Sequence, residues 1–250
     1  LAALCPTHTR RDEEQLDLDQ FSTPAPLAAL TVAAAQIRPG DEVLEPSAGT
    51  GLLAVVAEAC GASVQLNELS PNRAGILRGL FPAASLTQLD AILLPDVNKT
   101  SGSFHAVVTN PPFQQLLPHL KAALQSLAIG GRLAAVVPTR VFEDPAIISA
   151  MSAAGEIQAM IGLPDRAFAK HGTSVQVGLL IVDRRDQAHP VGVSPVVSED
   201  LAEAAKAIAA LPARSNVQPR TFRDHVVDAR SVSGGRSVMI AELVYLRMFQ

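Results

Sequence analysis

Residues 42–51 read Glu42-Val43-Leu44-Glu45-Pro46-Ser47-Ala48-Gly49-Thr50-Gly51, and an apolar run with helical spacing follows over residues 52–60. A short apolar strand, a glycine-bearing turn and a helix make one β-turn-α unit. Glycines 49 and 51 allow backbone angles and close approaches that a side chain would resist. In open α/β sheets ligands collect outside the carboxyl ends of strands, which is where this turn falls. The stretch therefore predicts a mostly parallel sheet, covered by helices on both faces, with a ligand loop at residues 45–51.

The chain on either side repeats the same rhythm. Upstream, residues 7–20 are polar and read as an arm or short helix. Pro24 and Pro26 then open a helix with Thr23 as its cap; Leu27, Leu30, Ala34 and Ile37 recur at helical spacing until Pro39-Gly40. Downstream, residues 63–67 form a second strand, Pro71 opens a helix to residue 80, and residues 86–90 form a third strand before a polar loop at 95–103. Residues 104–109 make a fourth strand, 114–129 a helix stopped by Gly130-Gly131, and 133–137 a fifth strand. Residues 157–161 and 174–182 are apolar strands with no room between them for a crossover helix, so an antiparallel pair is expected. The predicted fold is an α/β, Rossmann-like sheet of seven strands with a reversed strand at one edge. The pattern weakens after residue 183, leaving a helix at 199–211 and strands around Val226, Val238 and Val244. Residues 1–183 are thus expected to form the main domain, and 184–250 a small extension.

Composition narrows the class. With 48% hydrophobic residues, the 250-residue chain reads as globular rather than disordered. Its apolar runs are far shorter than the roughly 20 residues needed to span a bilayer, and no signal segment opens it, so a cytoplasmic location with no membrane role is expected. Cys5 and Cys60 are the only cysteines, which argues against a cysteine zinc cluster or a disulfide scaffold, and no metal is expected. The opening Leu1 suggests a processed chain or part of a longer one. Through residue 183 there are 11 Lys and Arg against 17 Asp and Glu, and after it 9 against 7. Arg214, Arg220, Arg223, Arg230 and Arg236 are therefore candidates for phosphate contacts, beside the blander reading of a solvated surface.

Two constellations carry chemistry. Glu68 ends the second strand, 17 residues after Gly51, where a carboxylate can accept both hydrogen bonds of a ribose diol. Asp90 ends the third, in position to accept from an adenine amino group. Gly49-Thr50-Gly51-Leu52-Leu53-Ala54 also fits the dinucleotide fingerprint, with Glu68 19 residues after Gly49, so a nicotinamide-dependent enzyme is an alternative. The second constellation, Asn110-Pro111-Pro112-Phe113, follows the fourth strand directly. Two prolines fix the main chain and remove two donors, leaving the Pro111 carbonyl and the Asn110 side-chain carbonyl as convergent acceptors for a planar amino group. Phe113 offers a stacking face, with Phe168 as a second; Lys170 and His171 beside Phe168 read as solvated.

Together the 45–51 and 110–113 motifs resemble those of the amino-group DNA methyltransferases. Gln20-Phe21-Ser22-Thr23-Pro24 resembles the amino-terminal cofactor motif of their gamma arrangement, which includes the methylation subunits of type I restriction-modification systems. Residues 20–183 follow the gamma order, and Leu163-Pro164 through Phe168 resembles the end of the type I methylation core. A weaker resemblance is to methyltransferase segments fused ahead of helicases in plasmid and phage proteins. The resemblance implies S-adenosylmethionine as cofactor, with Phe21, Thr23 and Pro24 near its methionine portion, residues 45–51 as the cofactor loop, Glu68 on the ribose and Asp90 on the adenine. It implies Asn110, Pro111, Pro112 and Phe113 as the catalytic set, methylating adenine N6 in DNA. Larger members carry a target-recognition domain, whereas 67 residues follow Asp183 here, so another subunit or fused domain is an expected partner. Cytosine N4, an RNA adenine and a protein glutamine present similar nitrogens, and a non-catalytic cofactor-binding protein is a further class.

Overall fold

The computed structural model describes residues 23–97, 100–164 and 175–217. The expected arm at 7–20, Phe21, Phe168 with Lys170 and His171, the arginines from 220 onward and the strands around Val226, Val238 and Val244 lie outside these residues.

In chain order the elements are α1 (Ala25–Ala35), β1 (Glu42–Glu45), α2 (Leu52–Ala59), β2 (Ser63–Asn67), α3 (Pro71–Leu80), β3 (Ser85–Thr87), α4 (Leu94–Val97) and β4 (Phe104–Thr109). Then follow α5 (Leu116–Ser126), β5 (Leu127–Pro138), α6 (Pro145–Ala154), β6 (Gly155–Gly162), β7 (Val177–Arg184), β8 (Val196–Val197) and α7 (Leu201–Ala209). One sheet holds all eight strands in the order β3-β2-β1-β4-β5-β7-β6-β8. Strands β3 to β5 are parallel neighbours, β7 is antiparallel to both β5 and β6, and β8 is parallel to β6.

Two features of the sheet correct the sequence reading. Among the described residues there are eight strands, not seven, and the reversed strand is not at an edge: β7 lies between β5 and β6. The 12-residue β5 offers a long apolar flank, and all but the last residue of β7 are buried, so inserting β7 there covers both of its faces. Gly130-Gly131 do not stop a helix either. α5 ends at Ser126, and the glycines lie inside β5, where its register with β4 shifts between Phe104 and Ala106. A Cβ on Gly131 would stand 3.0 Å from the carbonyl oxygens of both Phe104 and His105, so the bulge needs a residue without one. The expected loop at 95–103 begins instead as the short helix α4.

Alternation along the strands fills two cores. Val43, Ala106, Val108, Ala134, Val136, Leu179 and Ile181 face α1, α2, α3 and α7. Leu44, Val107, Leu133, Ala135, Val137, Leu180 and Val182 face α4, α5 and α6. Burial on both faces is why these strands read as continuous apolar runs. Across β5 and β7, Arg132 pairs directly with Asp183 in register, its Nε 2.6 Å from the carboxylate, with both side chains buried. Such a pair pins register more than it adds stability, because a one-residue slip would strand two charges.

The described residues after β7 pack onto the same body. β8 joins the sheet, and Ala204 and Ile208 of α7 enter the core on the α1 face. Residues 211–217 run as a strap to which α1 and the amino-terminal ends of β1 and β4 are tied. Gln36 accepts the Arg214 main-chain N–H (2.6 Å) and donates to the Pro212 carbonyl (3.2 Å). The Arg214 side chain is buried, donating to Asp41 and to the His105 carbonyl (2.9 Å). Arg214 is thus withdrawn from the expected phosphate-contacting set, because its charge is spent inside the protein. Among the described residues no helix is long and apolar enough to cross a membrane.

Candidate active site

Strand order reverses between β1 and β4: one half of the sheet winds outward through β2 and β3, the other through β5. Connections leave in opposite directions at such a point and open a crevice at the carboxyl ends of the strands. A cleft lies there, lined on one wall by residues 46–50, Glu68 and Asp90, and on the other by Thr23 and residues 110–115.

The glycine turn is held from below. Ala48 N–H donates to the Asn67 carbonyl (2.9 Å), Gly51 N–H to Ala48 O (2.7 Å), and Gly49 N–H to the Glu68 carboxylate (2.6 Å). Gly49 and Gly51 have φ of 57° and 83°, a region that favours glycine. Their roles differ. Gly49 lines the cleft, whereas Gly51 faces away from it: a Cβ there would stand 2.6 Å from Phe81 and 2.8 Å from Leu77. Glu45 is also behind the loop, 2% exposed, accepting the Ala54 N–H (2.8 Å). Burial pushes its carboxyl well above the usual range, opposed by that hydrogen bond and reinforced by nearby Glu68.

Glu68 is buried at the end of β2, each of its oxygens also taking a backbone N–H, from Gly49 and from Ser70 (2.9 Å). Asp90 is exposed to the cleft, and its Oδ1 caps the turn at Ile92 (3.0 Å). Two acceptors at adjacent strand ends fit the ribose and amino groups of a nucleoside.

On the opposite wall, Asn110 leaves β4 half-buried and its Nδ2 donates to the Thr23 hydroxyl (3.2 Å). Thr23 does not cap α1, whose first turn has Pro24 at the cap position and no side-chain cap, because its hydroxyl is turned to Asn110. Pro24 itself is buried and stands outside the cleft lining, its carbonyl accepting Ala28 N–H (2.9 Å). Pro111, Pro112 and Phe113 line the cleft, and Phe113 also packs on the α1-side core.

Asn67, Arg73 and His119 are among the lining residues that escaped the sequence reading. Asn67 is 1% exposed and satisfied four times: Nδ2 donates to the carbonyls of Pro46 and Leu89, and Oδ1 accepts from Thr87 and Leu89 N–H. It ties the loops after β1 and β3 together; a carboxamide closing an apolar strand was the available signal. Arg73, buried on α3, lies against Gly49, where a Cβ would approach its Nη1 to 3.3 Å. His119 on α5 also lines the cleft. Burial draws its pKa below the usual value against the pull of Asp90.

The all-parallel dinucleotide-binding sheet, order 3-2-1-4-5-6, has no reversed strand inside it. Here β7 runs antiparallel between β5 and β6. Solved structures share this architecture. A Listeria monocytogenes protein assigned to the class I S-adenosylmethionine-dependent methyltransferases superposes with a TM-score of 0.59 at 17% identity, over 75% of this chain and 69% of that one.

The fold is that of the class I S-adenosylmethionine-dependent methyltransferases.

The methyltransferase subunit of a type I restriction-modification system from Streptococcus thermophilus matches with a TM-score of 0.61 at 17% identity, over 79% of this chain and 54% of that one. A Pyrococcus horikoshii protein assigned as an RNA methyltransferase matches with a TM-score of 0.53 at 19% identity, over 74% of this chain and 94% of that one. The chain thus spans about half the length of the type I subunit it matches. No family model and no curated relative matches the sequence.

Proposed function

We propose that this chain is an S-adenosylmethionine-dependent methyltransferase acting on the N6 amino group of adenine in DNA. The observation that carries the reading is one cleft with two chemically distinct walls, a glycine turn with two carboxylates facing an anchored Asn110 and the Pro111-Pro112-Phe113 turn.

In this reading Ser47, Ala48, Gly49 and Thr50 shape the cofactor bed, Glu68 receives the ribose hydroxyls and Asp90 the adenine amino group. Pro46, Glu45 and Gly51 hold the bed in place. Thr23, with Pro24 and Phe21 by resemblance, closes the methionine end. A bound cofactor would supply the methyl group from its sulfonium, the sulfur–carbon bond breaking to leave a neutral thioether as the nitrogen–carbon bond forms. Asn110 Oδ1 and the Pro111 carbonyl accept the two N–H bonds of the target amine, while Phe113 offers its flat base a stacking face. As the nitrogen gains its methyl it becomes positive, and both acceptors bind it more strongly before one proton leaves to water. That increase is preferential stabilisation of the transition state.

DNA is favoured over other polymers by the 20–24 motif, the gamma order and the type I neighbours. Target recognition is then assigned to another subunit or a fused domain, with the 184–250 extension outside Arg214 as a contact region. An RNA adenine is the second reading, favoured by the match over nearly the whole of the archaeal protein.

Labelled S-adenosylmethionine, supplied in parallel with duplex DNA, single-stranded DNA, RNA and protein extract, tests the proposal. N6-methyladenine in DNA is the expected product. Label in RNA or on glutamine reassigns the polymer, and cofactor binding without any transfer overturns the enzyme reading. The Asn110→Ala variant should lose roughly 100-fold or more in kcat, the scale of removing a transition-state hydrogen bond, while its cofactor Kd in titration calorimetry is unchanged.

A further inference from the structure

We propose that Thr23 is a positioning residue for the Asn110 acceptor. Its hydroxyl oxygen takes the Nδ2–H bond of the amide, at 3.2 Å, and so directs Oδ1 of the same amide to the target nitrogen. The choice of target rests on the function proposed above, but the Thr23–Asn110 contact does not.

A side-chain amide has one accepting and one donating end of nearly equal shape, and rotation about its last torsion exchanges them. For an amine target the difference is decisive. With Oδ1 forward, the amide binds an N–H and gains as positive charge develops; with Nδ2 forward, two donors face each other. Asn110 main chain is already fixed, since it follows the buried Thr109 and precedes Pro111, which confines it to extended angles. The amide torsion is the freedom left to settle.

Thr23 is built to settle it. It too precedes a proline, so its backbone is confined in the same way. Pro24 begins α1, in which eight of 11 residues are buried, against α2, β4 and β5. The hydroxyl therefore sits on a rigid support 87 residues from Asn110 in sequence. This role is separate from the cofactor contact implied by resemblance, because its direct object is the Asn110 amide beside it on the same wall. Groups that orient a reacting side chain matter because a misplacement of about 1 Å can cost 100-fold in rate.

The test compares Thr23→Val, which keeps shape and removes the acceptor, with Thr23→Ser, which keeps it, and Thr23→Ala as a second deletion should the valine variant fold poorly. Three quantities are read: cofactor Kd, kcat with KM for the methyl acceptor, and hydrogen exchange of the Asn110 side-chain amide by 15N NMR, assigned through Asn110→Asp. In Thr23→Val, kcat should fall roughly 10- to 100-fold. Rates are read at saturating cofactor, so that any weakening at the methionine end does not enter, and KM for the methyl acceptor should stay within about threefold, too small a change to account for that fall. The Asn110 amide should lose its protection, and Thr23→Ser should restore both rate and protection. Wild-type turnover in Thr23→Val overturns the proposal, as does an unchanged Asn110 amide signal or a loss confined to cofactor affinity. If the wild-type protein methylates nothing, the functional reading fails, and the NMR comparison alone decides the Thr23–Asn110 role.

Discussion

Glu45 shows how far a residue's type can be read without its surroundings. An acid just before a glycine turn was expected in the cofactor loop, and it is there, but with its carboxyl sealed beneath the turn rather than lining the cleft. Burial raises its pKa, so the folded protein holds this proton more tightly than the unfolded chain does. Stability attached to Glu45 is therefore present at low pH and lost as pH rises through the window above the usual carboxylate value. Glu45→Gln keeps an acceptor for Ala54 N–H and removes the ionisation. The variant should match the wild type in Tm at pH 5 and exceed it by about 3 °C at pH 8 in thermal scans. A lower Tm at pH 8 would show that the charge is needed. The cleft positions of Asn110 and Glu68 were legible because each polar residue directly follows an apolar strand. Asn67 and Arg73 were not, because their importance comes from the loops they touch.

At the scale of elements, the boundaries of β2, α3 and β4 are visible in the chain itself, since proline starts and apolar runs fix them locally. The stretch around Gly130-Gly131 misleads because a helix stop and a strand bulge use the same residue, and only the neighbouring strand distinguishes them. The strap at 211–217 was equally hidden. Arg214 stands among spaced arginines in sequence, while its partner Asp41 is 173 residues away. Removing Arg214 leaves Asp41 buried with only the Arg38 N–H (2.8 Å) and frees the His105 carbonyl. Arg214→Ala should cost about 3 kcal/mol in urea denaturation, the lower end for breaking a buried charge pair. A loss below about 0.5 kcal/mol, the range of ordinary surface substitutions, would place this arginine with the solvated ones.

For the whole molecule, acid sensitivity follows from two histidines in opposite parts of the fold. Burial lowers the pKa of His105, at the strap, and of His119, in the cleft. Each then binds its proton more weakly when folded, so the stability it contributes is complete above the ordinary histidine value of about 6.5 and is lost as pH falls below it. Tm should drop between pH 7 and pH 5, and a His105→Asn, His119→Asn double variant should drop less. An equal drop in both proteins would assign the acid sensitivity to other groups.

The sequence by itself determined the alternation of strands and helices, the glycine turn after β1 and the Asn-Pro-Pro-Phe turn after β4. Hydrophobic period, glycine and proline act within a few residues, and that reach is enough for these features. Tertiary structure alone decided that β7 enters between β5 and β6, that Arg214 is interior, and that the Thr23 hydroxyl meets Asn110 rather than capping its own helix. Each is a competition among partners far apart in the chain, and a residue reveals which partner it takes only when packing brings the rivals into reach.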